Sequence, residues 1–264
     1  MEPKKVQYTV SARGKSLQVP VMDYLEKQFG SIPREQIDSV FGFLEPSTLY
    51  SGRPYMRSQL SGEDVQNLYK AGMGVRIPFS NHYVSEREYE SYRPMMEKYH
   101  RKVNSLICTN DRLAGWIRRD YPLYQVEASV LKETDSLDKI ERALELYDYV
   151  ILPMFLNYKD DFLSSIPRKD KITLFGNAGC ALSCPNRKCY EYISRVNKDL
   201  AMQKALGRQL TWLYRLGFPI HWCSHRLKPR NLKGLTDFDL DHLYSLGFKR
   251  FKMLREHKSR KTGY

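Results

Sequence analysis

Residues 103–130 read VNSLICTNDRLAGWIRRDYPLYQVEASV, and this stretch contains the unit from which the fold is inferred. Residues 103–110 and 125–130 are short β-type runs, and residues 112–120 between them have the apolar spacing of a helix. The same order continues in a periodic helix at residues 136–146 and in the run YVILPMF at residues 149–155. Such an alternation is typical of parallel strands with helices packed on their faces.

The alternation extends in both directions over most of the 264 residues. Strands are predicted at residues 17–21, 39–44, 74–80, 103–110, 125–130, 149–155, 172–178 and 250–254. Helices are predicted at residues 23–29, 62–71, 85–100, 112–120, 136–146, 159–165, 199–216 and 236–246. Ser61 is expected to cap the second helix, with Asp64 three residues on, and Gly247 is expected to end the last one.

Eight strands alternating with helices in a chain of this length predict an α/β fold, a (β/α)8 TIM-type barrel. An open doubly wound sheet is the alternative, but no GxGxxG follows the first predicted strand. The expected organisation is a single barrel domain over residues 1–257. A Cys-rich, cluster-binding insertion at residues 179–235 would follow the seventh strand, and residues 258–264 would form a basic disordered tail.

Composition and charge exclude some functions and favour others. The chain has 43 Lys and Arg against 30 Asp and Glu, a net charge of +13, which suggests an anionic substrate or a polyanionic partner such as RNA. No apolar run is long enough for a membrane span, and the N-terminal residues lack the apolar stretch of a signal peptide, so a cytoplasmic protein is expected. No GxSxG, HExxH or Walker-type loop supports ordinary serine or zinc hydrolysis.

The strongest chemical signal is the cysteine pattern. Residues 176–189, GNAGCALSCPNRKC, place Cys180, Cys184 and Cys189 after the seventh strand, and Cys223 follows in the run HWCS. Four thiolates suit a [4Fe–4S] cluster or a tetrahedral Zn²⁺. The gaps of three and four residues differ from the paired CxxC spacing of zinc sites, so the cluster is favoured. The fifth cysteine, Cys108, lies inside an apolar strand and is predicted to be a core residue.

A radical S-adenosylmethionine enzyme also places three cysteines in a barrel. Those enzymes carry CxxxCxxC after the first strand and leave one iron open for the cofactor. Here the last gap is four, the three cysteines follow the seventh strand, and Cys223 could occupy the open iron. This alternative is therefore disfavoured.

The cysteine segment resembles a known family. The run FGNAGCALSCPNRKCYEYIS, residues 175–194, is similar to the N-x-x-C-x-x-x-C-P-x-R block of the collagenase-like peptidases of unassigned catalytic type, family 32 of the U class. Residues 228–255, which contain KPRNL and LGFKRFKMLR, resemble the closing PRDL…FKIEGR block of that family, with Met253 and Leu254 in place of its Glu and Gly. Weaker similarities extend the resemblance over about residues 17–255.

The resemblance implies a barrel with a [4Fe–4S] cluster on Cys180, Cys184, Cys189 and Cys223. It also implies an oxygen-independent hydroxylase, since the better understood relatives hydroxylate the ubiquinone ring, a tRNA uridine or an rRNA cytidine. A paralogous protein subunit is a further possible partner.

Polar residues at the ends of predicted strands are expected to point into the barrel mouth. The predicted catalytic residues are Glu127, His221, Lys252 and Arg255, and the predicted substrate-binding residues are Arg53, Asn81, Asn110, Asn157 and Asn177. Glu127 lies in an apolar strand and needs a partner, for which Lys252 or Arg255 is suitable, unless these two bind an anionic substrate. Each of these residues could instead be a hydrogen-bonded loop or capping residue.

Four functions remain open at this point. The first is a cluster-dependent hydroxylase or related redox enzyme acting on an anionic small molecule. The second is a peptidase, although no nucleophile and base are evident. The third is an RNA-base-modifying enzyme, because basic residues cluster at residues 226–233, 249–255 and 257–261. The fourth is a non-catalytic protein in which the cluster or a zinc ion only stabilises the insertion.

Overall fold

Eight parallel strands close into a barrel in the computed structural model, which describes residues 6–53, 55, 57–179, 182, 189–198 and 236–254. The barrel strands are β1 (Gln7–Ser11), β2 (Ile37–Phe41), β3 (Gly74–Ile77), β4 (Ser105–Cys108), β5 (Gln125–Ala128), β6 (Tyr149–Ile151), β7 (Ile172–Phe175) and β10 (Arg250–Met253). They follow one another in chain order around the barrel, and β10 pairs with both β7 and β1. The short strands β8 (Asn177–Ala178) and β9 (Thr236–Asp237) form a separate antiparallel pair.

Helices alternate with the strands, as expected for a (β/α)8 barrel. They are α1 (Val21–Phe29), α2 (Gly62–Lys70), α3 (Glu86–Ser91), α4 (Arg93–Lys98), α5 (Asp111–Asp120), α6 (Leu137–Leu146), α7 (Asp160–Ser165), α8 (Cys189–Val196) and α9 (Leu240–Ser245). The predicted TIM-type barrel is thereby confirmed, and the open sheet is excluded. None of the helices in the described ranges has the length and apolar content needed to cross a bilayer.

Seven of the eight predicted strands overlap a barrel strand, but the first prediction is wrong. Residues 17–20 form a turn that leads into α1, which begins at Val21, and Leu17 and Val19 are 46% and 41% exposed. The first strand is β1, QYTVS, whose buried Thr9 and Ser11 make it less apolar than the sequence pattern of a barrel strand suggests.

Two predicted helices differ from the observed ones in their bounds, and a third lies outside the described residues. Residues 85–100 form two helices, α3 and α4, because Pro94 cannot donate the backbone hydrogen bond that a continuous helix needs there. The last helix begins later than predicted, at Leu240, after the Asp239 cap. The helix predicted at residues 199–216 lies outside the described residues.

The predicted cap of α2 is confirmed and has a further role. Ser61 Oγ accepts the backbone N–H of Asp64 at 3.0 Å, and the Asp64 carboxylate accepts the N–H of Ser61 at 2.8 Å. The same carboxylate accepts Lys15 Nζ at 2.7 Å and the N–H of Val21 at 2.9 Å. Asp64 therefore connects the β1–α1 loop to α2 through a buried ion pair. The prediction for Gly247 also holds, since it follows α9 with a φ of +100°.

The outer face of the barrel is apolar and packs against the helices. Each strand contributes at least one almost fully buried side chain to this layer: Val10, Val40, Val75, Leu106, Val126, Val150, Leu174 and Phe251. Successive residues of a strand point to opposite faces, so the neighbours of these residues point into the barrel. Several of those neighbours are polar or charged, which is unusual for a barrel interior.

Arg76 on β3 is the centre of this polar interior. Its guanidinium contacts the carboxylate of Glu127 on β5 and lies 2.7 Å from Asp38 Oδ2 and 3.2 Å from Ser105 Oγ. Ser105 Oγ also donates to Glu127 Oε1 at 2.6 Å, and Arg76 donates to Ser39 Oγ. Arg76 and Glu127 are 3% and 1% exposed, so this is a buried ion pair that connects strands β2 to β5 across the interior.

The substitution Glu127→Gln should destabilise the barrel strongly, because it leaves the buried Arg76 without its buried counter-charge. Breaking one side of such a pair typically costs about 3–5 kcal/mol. Denaturant unfolding followed by circular dichroism measures the loss. Asp138→Asn is the control, since Asp138 pairs with Arg142 at 3.0 Å on the exposed surface. Equal shifts for both variants would contradict the central role of the interior pair.

Candidate active site at the barrel mouth

A cavity of about 120 Å³ opens at the carboxyl-terminal ends of the barrel strands. This is the end of the barrel at which enzymes with this fold place their catalytic groups. Its walls include the rings of Phe41, Phe43 and Phe175, and its cationic lining residues are Arg13, Arg53 and Lys252. No Asp or Glu lines the cavity within the described part of the chain. The cavity therefore combines flat apolar walls with positive charge, and this suits a small anionic molecule with a planar part.

Lys252 lies on β10 and is 8% exposed. Its Nζ lies 4.2 Å from the ring centre of Phe41 and 5.8 Å from that of Phe175. Neither a carboxylate nor a hydrogen-bond acceptor contacts Nζ among the described residues. Burial, followed by the charges of Arg76 and Arg53, lowers the pKa of Lys252 to about 7. Near neutral pH the side chain is therefore present both as an ammonium ion and as a neutral amine.

Arg53, a predicted substrate-binding residue, does lie at the cavity. Its guanidinium donates to Gln59 Oε1 and lies 4.5 Å above the ring centre of Phe43. Gln59 Oε1 in turn accepts the backbone N–H of Phe43 at 3.1 Å, so the arginine is attached to the end of β2. Arg13 lines the same cavity, and the sequence reasoning missed it because it placed the first strand after this residue.

The four predicted asparagines do not line the mouth cavity. Asn81 Nδ2 donates to three backbone carbonyl oxygens, and Asn110 Oδ1 accepts two N–H groups in the first turn of α5. Asn157 Nδ2 donates to the Phe175 carbonyl at 2.7 Å, and Asn177 Oδ1 accepts the N–H of Leu254 at 2.8 Å. These bonds support loops at the mouth. A direct contact with substrate stays a prediction for all four.

Glu127 has a partner, as expected, but among the described residues the partner is Arg76; Arg255, the other expected partner besides Lys252, lies outside the described residues. Its carboxylate binds Arg76 and Ser105, not Lys252, and it does not line the cavity. Arg76 is the residue that the sequence reasoning missed. The sequence did contain a feature that could have indicated this pair. Arg76 and Glu127 have opposite charges, and each is the only charged residue in a strand whose other buried positions are apolar. A catalytic role for Glu127 stays a prediction.

Of the predicted cluster ligands, the structure describes Cys189. It is the first residue of α8 and is partly exposed, and the next residue, Tyr190, lines the mouth cavity. The other predicted ligands, Cys180, Cys184 and Cys223, lie outside the described residues, as do His221 and Arg255. The residues that are described contain no group of three or more His, Cys, Asp or Glu side chains placed to hold a metal ion.

The remaining cysteine, Cys108, is completely buried in the core, as predicted. Burial raises the pKa of its thiol far above the usual range, so the thiol stays protonated at neutral pH. Cys108 is therefore a structural residue.

Two serines and a histidine form a connected group that the sequence did not indicate. Ser51 lines the cavity, and its Oγ lies 2.7 Å from Ser194 Oγ on α8. Ser194 Oγ lies 2.8 Å from His82 Nδ1. Burial lowers the pKa of His82, although the charges of Glu191 and Glu133 act in the opposite direction. The lowered pKa favours the neutral imidazole, and the three side chains form a continuous hydrogen-bonded chain from Ser51 to His82.

The pH dependence of stability should identify Lys252. The unfolded chain holds the lysine proton up to a pKa of about 10.4, whereas the folded chain releases it near 7. Between these values the unfolded state binds more protons, so this residue makes the folded state relatively more stable as pH rises. Lys252→Met should therefore raise the free energy of unfolding most at pH 6, and the difference from the natural chain should shrink towards pH 10. Denaturant titrations at pH 6, 8 and 10 measure it, and a difference that is independent of pH would exclude the buried ammonium.

Comparison with known proteins supports the fold. No protein-family model and no curated protein matches the chain. A solved structure of the U32 peptidase Mk0906 is similar, with a TM-score of 0.56 and 12% sequence identity, over 96% of this chain and 94% of that one. At this identity the likeness establishes the fold, and it agrees at that level with the resemblance noted in the cysteine block: the chain has the barrel fold of a U32 peptidase.

Proposed function

We propose that this chain is a redox enzyme that modifies a small anionic substrate in the barrel mouth, with a [4Fe–4S] cluster at the rim. The observation that carries the proposal is the cavity itself, which presents Arg13, Arg53 and Lys252 between aromatic walls and contains no carboxylate among its described lining residues. Hydroxylation of an aromatic ring is the reaction that the family resemblance favours.

The described residues are compatible with a cluster at this place. Strand β8 ends at Ala178, two residues before Cys180, and Cys189 begins α8. The segment that carries the first three cysteines therefore starts after β8 and ends beside Tyr190, which lines the cavity. Cys180, Cys184, Cys189 and Cys223 would hold the cluster, and the donor set of four thiolates is the one that such clusters require.

When bound, the cluster supplies electron transfer. The residues of this chain bind and orient the substrate: Arg53 and Arg13 hold its anionic group, and the rings of Phe41 and Phe175 hold its planar part. Lys252 gives or takes a proton at Nζ, because its pKa of about 7 lies near the working pH. Arg76 and Glu127 lie outside the cavity lining and hold together strands β2 to β5, the first of which carries Phe41.

Anaerobic purification followed by iron and sulfide analysis tests the cluster. We expect about four irons and four sulfides per chain, with the matching visible and electron paramagnetic resonance spectra. Cys184→Ala should lose the iron, whereas Cys108→Ala should keep it because Cys108 is a core residue. One zinc ion and no iron would overturn the redox proposal in favour of a structural metal site.

The same preparation distinguishes the class of substrate. Nucleic acid that copurifies with the protein and is released steeply by salt would replace the small molecule by an RNA base. If no nucleic acid copurifies with the protein, a small anionic molecule remains the proposed substrate.

A peptidase is the second candidate, and a specific contact favours it. In the group of Ser51, Ser194 and His82, Ser51 Oγ can attack a carbonyl carbon while its proton passes through Ser194 Oγ to His82 Nδ1. Breakage of the amide bond then returns that proton to the leaving amine and leaves the acyl group as an ester on Ser51, and a water molecule hydrolyses this ester to restore the serine.

A fluorophosphonate probe tests the peptidase. If this chemistry operates, metal-free protein should be labelled at Ser51, and Ser51→Ala should abolish labelling. Ser80→Ala is the matched control, since Ser80 lines the same cavity without a histidine contact. Absence of label on Ser51, read by peptide mass spectrometry, would exclude the peptidase.

A further inference from the structure

Lys252 in the mouth cavity has a different environment from the lysines that form ion pairs. Lys15, Lys98, Lys132, Lys139 and Lys198 each lie within 2.7 Å of a carboxylate oxygen. Lys252 has aromatic rings as neighbours instead, and the charges that act on it are those of the cations Arg76 and Arg53. Its side chain is more than nine-tenths buried and lines the cavity. The ammonium form of this lysine is therefore disfavoured at a place that a small molecule in the cavity can reach.

We propose that Lys252 is a nucleophile that forms an imine with a small 2-oxo acid bound in the mouth cavity, with the carboxylate of that acid on Arg53. This inference goes beyond the proposed redox function and does not require a cluster.

The chemistry balances with the groups present. The neutral Nζ donates its electron pair to the carbonyl carbon, and a C–N bond forms as the carbonyl oxygen takes up a proton. The first proton of the amine is thereby transferred to this oxygen. The C–O bond then breaks, the hydroxyl leaves as water with the second proton of the amine, and a C=N double bond, the imine, remains. No oxidant or reductant is needed, and hydrolysis returns the amine and the oxo acid.

Three observations support a carbonyl compound that also carries a carboxylate. First, the amine is available, since about half of Lys252 is neutral at its pKa of about 7. Second, Arg53 lines the same cavity, and a guanidinium has five N–H donors that match a carboxylate. Third, the amine and the guanidinium line one cavity of about 120 Å³ together with Phe41 and Phe175, so both face the same bound molecule.

The carboxylate also explains why an arginine is needed in addition to the lysine. A carboxylate placed directly on Lys252 would stabilise the ammonium form and remove the nucleophile. A carboxylate held by Arg53 is kept away from Nζ, and burial and the charge of Arg76 still lower the pKa of the amine. The two residues therefore have separate roles in the cavity.

Reductive trapping with glyoxylate and borohydride tests the proposal on the full chain. At pH 7 we expect a carboxymethyl group on Lys252, located by peptide mass spectrometry, before any other lysine reacts. An ordinary lysine has a pKa of about 10.4, so its neutral fraction at pH 7 is lower by roughly a thousandfold. The preference for Lys252 should therefore disappear as the pH is raised to 10.

Lys132 is the matched internal control. It is also partly buried and lies over an aromatic ring, with Nζ 5.3 Å from the ring centre of Tyr147, but it pairs with Asp111 at 2.6 Å. Lys132→Arg should leave trapping unchanged, and Lys252→Arg should abolish it. Because the modified residue is identified in the natural chain, the result does not depend on how the variants fold.

Arg53→Gln distinguishes a carboxylate site from a merely reactive amine. This variant should need about tenfold more glyoxylate for the same trapping, as expected for the loss of a charge-assisted contact, while trapping of the neutral aldehyde acetaldehyde stays the same. Equal labelling of Lys252 and Lys132 at pH 7 would overturn the proposal. Trapping in protein that contains no iron would leave the imine site standing and the redox function refuted, so the two outcomes are separable.

Discussion

The guanidinium of Arg76 determines how charge is distributed inside this barrel. It is buried and contacts two carboxylates, Asp38 and Glu127, so these two acidic groups are already engaged. Lys252, closer to the mouth, therefore has no carboxylate partner in the described structure, and Arg76 adds a like charge that lowers its pKa further. An interaction that holds strands β2 to β5 together thus also sets the protonation of a residue at the candidate site. Arg76 therefore affects both the stability of the barrel and the protonation of Lys252.

The parts of the fold that could be predicted from the sequence are those that follow from the outer layer of the barrel. Residues such as Val40, Leu106 and Val126 pack against helices, so their strands carry apolar side chains that stand out in the sequence. The interior follows another rule, because Arg76 and its partners make it polar. Strand β1 was missed for this reason: Thr9 and Ser11 are buried, yet they are polar and their strand resembles a loop.

The location of the candidate site could be predicted from the sequence, but only some of the residues that line it could. The rule that barrel enzymes use the carboxyl ends of their strands selected Lys252, and the loop that begins at Ser51 suggested Arg53; both side chains line the cavity. The same rule also selected Asn81 and Asn110, whose amides bind backbone groups of nearby loops and of the first turn of α5, and their contact with a substrate stays a prediction. Sequence gives the end of a strand at which a residue lies but not the direction of its hydrogen bonds. The contact between Ser51 and Ser194 could not be predicted, since the two residues are 143 positions apart.

A barrel of this kind supports many reactions, so the chemistry must be inferred from the groups at the mouth and not from the fold. A cavity lined by cations alone attracts anions, but attraction does not by itself select a reaction. Here one of the cations is close to losing its proton at neutral pH, whereas Arg53, as a guanidinium, retains its charge. An anion on Arg53 would offset only the smallest of the three causes that lower the pKa of Lys252, because burial and the charge of Arg76 remain. The lysine would then still be present in both forms near neutral pH. The amine form could attack a carbonyl carbon, and the ammonium form could give a proton to a carbonyl or ring oxygen.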